Sequence, residues 1–497
     1  MSRKTNMAEA RSSLRRTIAL WGLVAAVLGE YWGVGCCGMG PELGVGRGVS
    51  IPVPAAYEEG LNGSAVILRS NGGRRWTPAF SCFLRLQARS GRYWCSLAVS
   101  LGNVVVWSSV EFPPSEACLL ELTGDGELQL GDHVPGAGGS GNHGVIIWRS
   151  GTSGQGVKQK LQLRRNGNLV LLNQANHIKW QSFSFPVDIL LWGQTLQRST
   201  RLLSPSDTMT LYYSLEVEDT RVALFLNSGQ QKYSYWEFRP DDLHSNISFA
   251  KLTSRGLALF NSTSHEIGLI STKNEQAVWF FSLAKNGSLV FYQYSPSIGK
   301  FTALYQPLVG PCDLPFSCGT YGVCTSSNTC SCMQISQQWS YNESGCLLNY
   351  EMPSSFCNDS CTAKLVTFSG IGTILRAPPT IANVTVEECK DLCLEDCTCK
   401  AGLFSSGGAS PGCFHYQVVG GVKQVGAAKL ADEVMYFVKV PKGTADGLCK
   451  ETRSGDGRKK LVVVGGVIDG LVILGLGVGI LYYVISVKRH NPRSRAS

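Results

Sequence analysis

The sequence predicts a mainly β, multidomain chain: two tandem three-sided β-prisms, then cysteine-rich modules, one of them α+β, and a single membrane helix. Three observations carry this. A Trp-x-Ser tripeptide recurs every 30 to 40 residues, between Asp-Gly or Asn-Gly turns and short alternating strands. Six cysteines fall within 35 residues, Cys312 to Cys346, with almost no apolar run between them. A 27-residue apolar stretch, Leu461 to Val487, is long enough to cross a bilayer.

The chain begins with Arg11, Arg15 and Arg16 ahead of the apolar run Thr17 to Leu28. This reads as a signal peptide over 1–35, with an unplaced cleavage site. The 19 cysteines, their clustering, and seven N-x-S/T sequons at Asn62, Asn246, Asn261, Asn286, Asn342, Asn358 and Asn383 point to an oxidising, glycosylating compartment. The formal charge of +9 is spread along the chain, and no basic stripe carries interleaved aromatics, so nucleic-acid binding has little support.

From 51 to 185 the repeats are Trp107-Ser108-Ser109, Trp148-Arg149-Ser150 and Trp180-Gln181-Ser182, with turns at Gly124-Asp125-Gly126 and Asn166-Gly167. A unit this short cannot bury its own face and must pack on its copies. Three units, each placing one Trp inward, close a prism. Residues 195–305 repeat the theme through Gly256-Leu257-Ala258-Leu259-Phe260 and Asn286-Gly287-Ser288-Leu289, without a cysteine.

Gly167-Asn168-Leu169-Val170-Leu171 followed by Trp180-Gln181-Ser182-Phe183-Ser184-Phe185-Pro186-Val187-Asp188-Ile189-Leu190-Leu191-Trp192-Gly193-Gln194 resembles the bulb-type lectin domain of plant S-locus glycoproteins and S-domain receptor kinases. The chain departs from that family's phrase at Ser184, Val187, Ile189 and Trp192. The resemblance implies a bulb-type lectin domain over 51–185 and a second lectin-like, S-locus glycoprotein domain over 195–305. The family binds mannose through Q-x-D-x-N-x-V-x-Y. The matching positions are Thr123, Asp125, Glu127, Gln129 and Gly131; then Arg164, Asn166, Asn168, Val170 and Leu172; then Ala284, Asn286, Ser288, Val290 and Tyr292. No copy is complete. Asp125, Asn166 and Asn168 are the degenerate sugar-binding candidates, and loss of mannose binding is expected because the remaining polar groups go unpaired.

The cysteine run over 308–347 has the spacing of an EGF-like module, which implies Cys312–Cys324, Cys318–Cys330 and Cys332–Cys346. A zinc site has little support there, since paired C-x-x-C knuckles and histidines are missing. Within 357–449, Cys389, Cys393 and Cys397 lie four apart, on one face of an expected helix starting near Thr385. With Cys399 and Cys413 they resemble the PAN/apple domain of the same receptors, which implies Cys389–Cys413 and Cys393–Cys399. Cys36, Cys37, Cys82, Cys95, Cys118, Cys357, Cys361, Cys397 and Cys449 have no implied partners. Cys82–Cys95 is the favoured bridge because only short strands separate them, and the odd total implies a free thiol or an intermolecular bridge.

The expected membrane helix, 461–487, carries Gly466, Asp469, Gly470, Gly475 and Gly479, small and ionisable residues that suit a helix–helix contact. A cytoplasmic tail over 488–497 follows, giving a single-pass type I plasma-membrane protein with its N-terminus outside. No catalytic constellation, metal site, cofactor motif or kinase signature occurs. The expectation is therefore a non-catalytic receptor-like glycoprotein or co-receptor for a glycan or protein ligand, partnered by a transmembrane kinase or a second copy. The alternative is an adhesion glycoprotein that anchors cell wall to membrane.

Overall fold

The computed structural model describes residues 42–70, 78–132, 145–157, 160–206, 210–240, 245–272, 277–335, 339–342, 345–348, 363–407, 411–425 and 434–441. The chain forms two compact units, Met1–Pro315 and Phe316–Ser497. The expected signal peptide, membrane span over 461–487 and tail lie outside the described residues. No helix among the described residues is long and apolar enough to cross a membrane.

The first half of the first unit is three four-stranded sheets. The first sheet pairs Glu42–Leu43 with the meander Lys160–Leu163, Leu169–Leu172 and Ile178–Gln181. The second pairs Arg47–Pro52 with Ala117–Leu122, Leu128–Asp132 and Ile146–Arg149. The third pairs Asn62–Arg69 with Phe80–Arg89, Arg92–Leu101 and Val104–Ser108. Three leading strands thus complete three antiparallel meanders in reverse order. Period-2 alternation sends one face of each sheet inward. The strand Phe80–Arg89 shows it plainly, with Cys82, Leu84 and Leu86 buried and Phe83, Arg85 and Gln87 half-buried. Leu84, Leu97, Leu120, Leu130, Leu161 and Leu171, drawn from all three sheets, meet in one core, so the sheets form the sides of a prism.

The second half repeats this topology. Ile189–Leu191 joins Phe280–Leu283, Leu289–Ser295 and Lys300–Tyr305. Thr195–Gln197 joins Phe249–Thr253, Gly256–Phe260 and Glu266–Ser271. Arg201–Leu203 joins Leu211–Val217, Val222–Ser228 and Gln231–Phe238. Ile189, Leu191 and Phe280 pack into the core of the first prism, so the two halves share apolar contacts. Strands lie upstream of 51 and of 195, where the lectin-like domains were expected to begin. Leading strands of two or three residues are too short to show a periodic pattern.

One expectation is overturned. Cys82 does not pair with Cys95: the bridge is Cys95–Cys118, and Cys82 is free and buried. On the antiparallel pair that holds both, Cys82 stands opposite Val99 and Cys95 opposite Leu86. The two are offset by four strand residues, about 13 Å, which no disulfide spans.

In the second unit a five-stranded sheet holds Ala363–Ser369, Val434–Pro441, Ala401–Ser405, Gly412–Tyr416 and Ile381–Ala382. The helix Val386–Glu395 packs on it. The strand Gly322–Cys324 pairs in parallel with Val422–Gln424, so the expected EGF-like stretch shares a sheet with the region after it.

Candidate functional site

The three candidate sugar motifs fold as one repeated turn. At Gly126, Gly167 and Gly287 φ is 89°, 87° and 84°, in the left-handed region glycine adopts freely. Each glycine N–H donates three residues back, to the carbonyl of Thr123, Arg164 or Ala284, at 2.9–3.0 Å. A side chain is also excluded sterically, since a Cβ on Gly126 would lie 2.1 Å from the Val157 carbonyl oxygen and one on Gly167 2.4 Å from the Phe80 ring.

The polar groups at these turns are consumed internally. In the second sheet the buried Glu127 carboxylate accepts from Ser150 Oγ at 2.6 Å and from the Gly151 N–H at 2.7 Å. It also accepts from the N–H groups of Thr152 and Ser153, at 3.3 and 3.2 Å. Ser153 and Thr123 hydroxyls donate to Asp125 and hold its carboxyl below the ordinary range. Gln129 Nε2 donates to Glu121 at 3.0 Å. At Gly131, where the family's tyrosine would stand, a Cβ would lie 2.4 Å from the Val145 carbonyl oxygen, so that place is closed.

In the first sheet Asn168 is buried. Its Nδ2 donates to Gln181 Oε1 at 2.9 Å, and its Oδ1 accepts from the Phe183 N–H at 3.3 Å. Asn166 Oδ1 accepts from the Asn168 N–H at 3.2 Å. In the second prism Asn286 Oδ1 accepts from the Ser288 N–H at 3.0 Å, with Val290 buried beside it. Asn166 and Asn168 share one turn, whereas Asp125 stands in another sheet.

The Trp-x-Ser tripeptides perform one task three times. Ser109, Ser150 and Ser182 accept, through Oγ, the N–H of Leu97, Leu128 and Leu169, each at 3.0 Å. Their tryptophans gather: Trp180 meets Trp107 and Trp148 edge-on, with centroids 5.8 and 5.6 Å away. Exposed Phe185 stacks on Trp180, and Trp107 Nε1 donates to the Phe185 carbonyl at 2.9 Å. Aligning Leu97 with Leu128 and Leu169 puts Arg92, Trp94 and Ser96 where the second sheet has Thr123, Asp125 and Glu127. Sequence reading missed this third position, which counting back from Trp107-Ser108-Ser109 would have located.

The second unit is organised by disulfides. Cys318–Cys330, Cys332–Cys346, Cys389–Cys413 and Cys393–Cys399 are formed, and Cys312, Cys324 and Cys397 are also disulfide-bonded. Thr385 and Glu388 form a capping box on the helix. The helix ends at Glu395, so Cys397 stands beyond it, exposed, and only Cys389 and Cys393 share the buried helical face. Lys439 is buried, and its Nζ donates to the carbonyls of Cys393, Leu394 and Asp396 at 2.8–3.0 Å, closing the helix C-terminus. His415 Nε2 lies 3.2 Å from Cys413 Sγ; the sulfurs around it are in disulfides and offer no thiolate to a metal.

Of the sequon asparagines, Asn62, Asn246, Asn286 and Asn383 are exposed and Asn261 is half-buried. Asn342 ends the strand Trp339–Asn342, and Asn358 lies outside the described residues. The five membrane-contact candidates, Gly466 to Gly479, also lie outside them.

Known proteins resemble this chain over much of its length. A G-type lectin S-receptor-like serine/threonine-protein kinase of Arabidopsis thaliana is 26% identical over 449 residues, which is 78% of this chain and 49% of the kinase. The chain is similar to plant G-type lectin S-receptor-like proteins. A PAN domain-containing protein of the same plant is 24% identical over 276 residues, 53% of this chain and 54% of that protein. The chain thus spans about half the length of these two proteins. No protein-family model matches it. Among solved structures, a fetuin-binding two-domain lectin of Scilla campanulata aligns at 17% identity over 52% of this chain and 99% of its own, with a TM-score of 0.19.

Proposed function

We propose that this protein is a cell-surface, lectin-like receptor glycoprotein that recognises a glycan or protein ligand without catalysing a reaction. The observation behind it is similarity to an S-receptor-like protein across 78% of the chain. In this reading the lectin-like domains occupy 51–185 and 195–305, the EGF-like module 308–347 and the PAN/apple domain 357–449. A signal peptide over 1–35 and a span over 461–487 place the chain in the plasma membrane as a single-pass type I protein with a tail over 488–497. The event passes to a transmembrane kinase or a second copy through a span that carries Gly466, Asp469, Gly470, Gly475 and Gly479.

Affinity purification of the intact protein from its own membranes tests this. Recovery of a transmembrane kinase is the expected result. Recovery of wall polysaccharide alone would favour the adhesion reading. The internal use of Glu127 and Asn168 supports a recognition surface that no longer takes mannose. The full chain is expected to pass through a mannose column, and specific elution by free mannose would overturn that part.

A further inference from the structure

The outward face of the third sheet carries two donors without partners among the described residues, the Arg85 guanidinium and the Trp94 indole N–H, beside a Gln87–Asn62 hydrogen bond of 2.9 Å. Arg85, at the centre of Phe80–Arg89, stands opposite Ser64 on one neighbouring strand and Ser96 on the other. Gln87 stands between Asn62 and Trp94 in the same way. The Arg85 guanidinium is half-buried and makes no ion pair or hydrogen bond among the described residues. Its burial lowers its pKa, Glu111 raising it in part, which is the mark of a cation removed from water without full compensation. Trp94 Nε1 is buried and has no hydrogen-bond acceptor. Buried donors of this kind ordinarily have partners, so an orphan indole N–H marks the place of a missing acceptor.

The charge around these donors is mainly positive. Arg89 lies 5.0 Å over the Trp94 ring and is paired with Glu111. Arg92, exposed at the start of its strand, shares the face of Trp94. Arg85, Arg89 and Arg92 therefore share the outward face with the indole, and Glu111 pairs with Arg89. Ser96 and Ala98 form a closed floor, 2% and 0% exposed. The other two sheets differ in kind: there Asp125 and Glu127, or Asn166 and Asn168, take up their own neighbours' hydrogen bonds.

We propose that this face binds a carboxylated, uronate-type oligosaccharide, with a carboxylate on the Arg85 guanidinium and a ring or carboxyl oxygen on Trp94 Nε1–H. A planar guanidinium fits a carboxylate with two parallel hydrogen bonds, and removal from water strengthens both. The Ser64 hydroxyl and the Gln87 amide match the hydroxyl-rich remainder of such a ligand better than they match a peptide. The inference rests on the lectin-like reading above and gives it a ligand class and a location.

The test is binding of the full chain to a galacturonate oligosaccharide, to its methyl-esterified form and to a polyglutamate peptide of similar charge. The acid oligosaccharide is expected to bind, and esterification to weaken it about tenfold or more through loss of the charge-assisted bonds. Arg85→Gln is expected to weaken it comparably, and Trp94→Phe about threefold or more by removing one donor. Arg255→Gln, on the second prism, is the control and should change nothing. Equal binding of the ester, or full binding by the Arg85 and Trp94 variants, overturns the proposal. So does equal binding of polyglutamate, which would make the face a site for acidic peptides. Binding that vanishes in Asn62→Gln would assign the contact to carbohydrate attached there and overturn it too. Neutral glycans presented in the same assay separate the two readings. If they bind and the acid oligosaccharide does not, this site fails while the lectin-like reading stands. If nothing carbohydrate binds, this site fails and the receptor reading keeps only its protein-ligand form.

Discussion

Three backbone N–H groups, of Ser115, Glu116 and Ala117, converge on the Asp132 carboxylate at 2.7–3.3 Å. Burial pushes its pKa up, but these donors outweigh it and hold the carboxyl below the ordinary range. A depressed carboxyl contributes stability that is present above the unfolded-state pKa and lost as pH falls through the folded value. Unfolding by urea at neutral and at acid pH is expected to show this loss, and Asp132→Asn to reduce the pH dependence at a cost of about 1–3 kcal/mol. A variant with unchanged acid sensitivity would place the effect elsewhere. Cys82 is the other residue whose surroundings decide its chemistry, since burial alone pushes its thiol pKa far up. It should resist alkylation in the native protein and react only on unfolding, a difference mass spectrometry reads directly. A leftover thiol follows from the odd cysteine count. Its identity depends on strand register, which residue spacing does not reveal.

The helix Val386–Glu395 is the element most fully legible in the sequence. Thr385 and Glu388 announce its start, and the four-residue spacing of Cys389 and Cys393 announces its buried face. Its end was not legible. Continuing the spacing to Cys397 overran the helix, because the carbonyls that finish it are bound by Lys439, distant in sequence. Thr385→Ala should cost about 1 kcal/mol as a lost cap. Lys439→Met should cost more, about 2–4 kcal/mol, because it strands the carbonyls that the ammonium satisfies. Thermal melts of the two variants order these effects, and an equal loss would contradict the role given to Lys439. The turns at Gly126, Gly167 and Gly287 were legible from Asp-Gly and Asn-Gly alone. The Arg85 and Trp94 face was not, since it exists only once Arg85 lies opposite Ser96 and Gln87 opposite Trp94.

At the scale of the whole molecule, the two compact units depend on different forces. The second prism, 189–305, contains no cysteine and is held by apolar residues such as Leu215, Leu224, Leu257, Phe281 and Phe291. The second unit buries few large side chains around the disulfides Cys389–Cys413 and Cys393–Cys399. Reduction of the intact protein should therefore raise amide exchange across 316–441 and leave the second prism protected. Equal exposure of both regions would contradict this division. The prisms were legible because Trp107, Trp148 and Trp180 recur with their serines, and the structure brings the three rings together. Leading strands as short as Glu42–Leu43 were not, because two residues carry no periodicity.

The reversed pairing of those leading strands sets a schedule for synthesis. Asn62 finds its partner Gln87 soon after it leaves the ribosome, whereas Glu42 waits for Gln162. The third sheet can therefore form early, while the first stays open until the last meander has been translated, and closure of long loops is slow. Through that interval the strand Glu42–Leu43 stays unpaired and inward-facing leucines remain uncovered, so the nascent prism is open to wrong contacts until the last meander arrives.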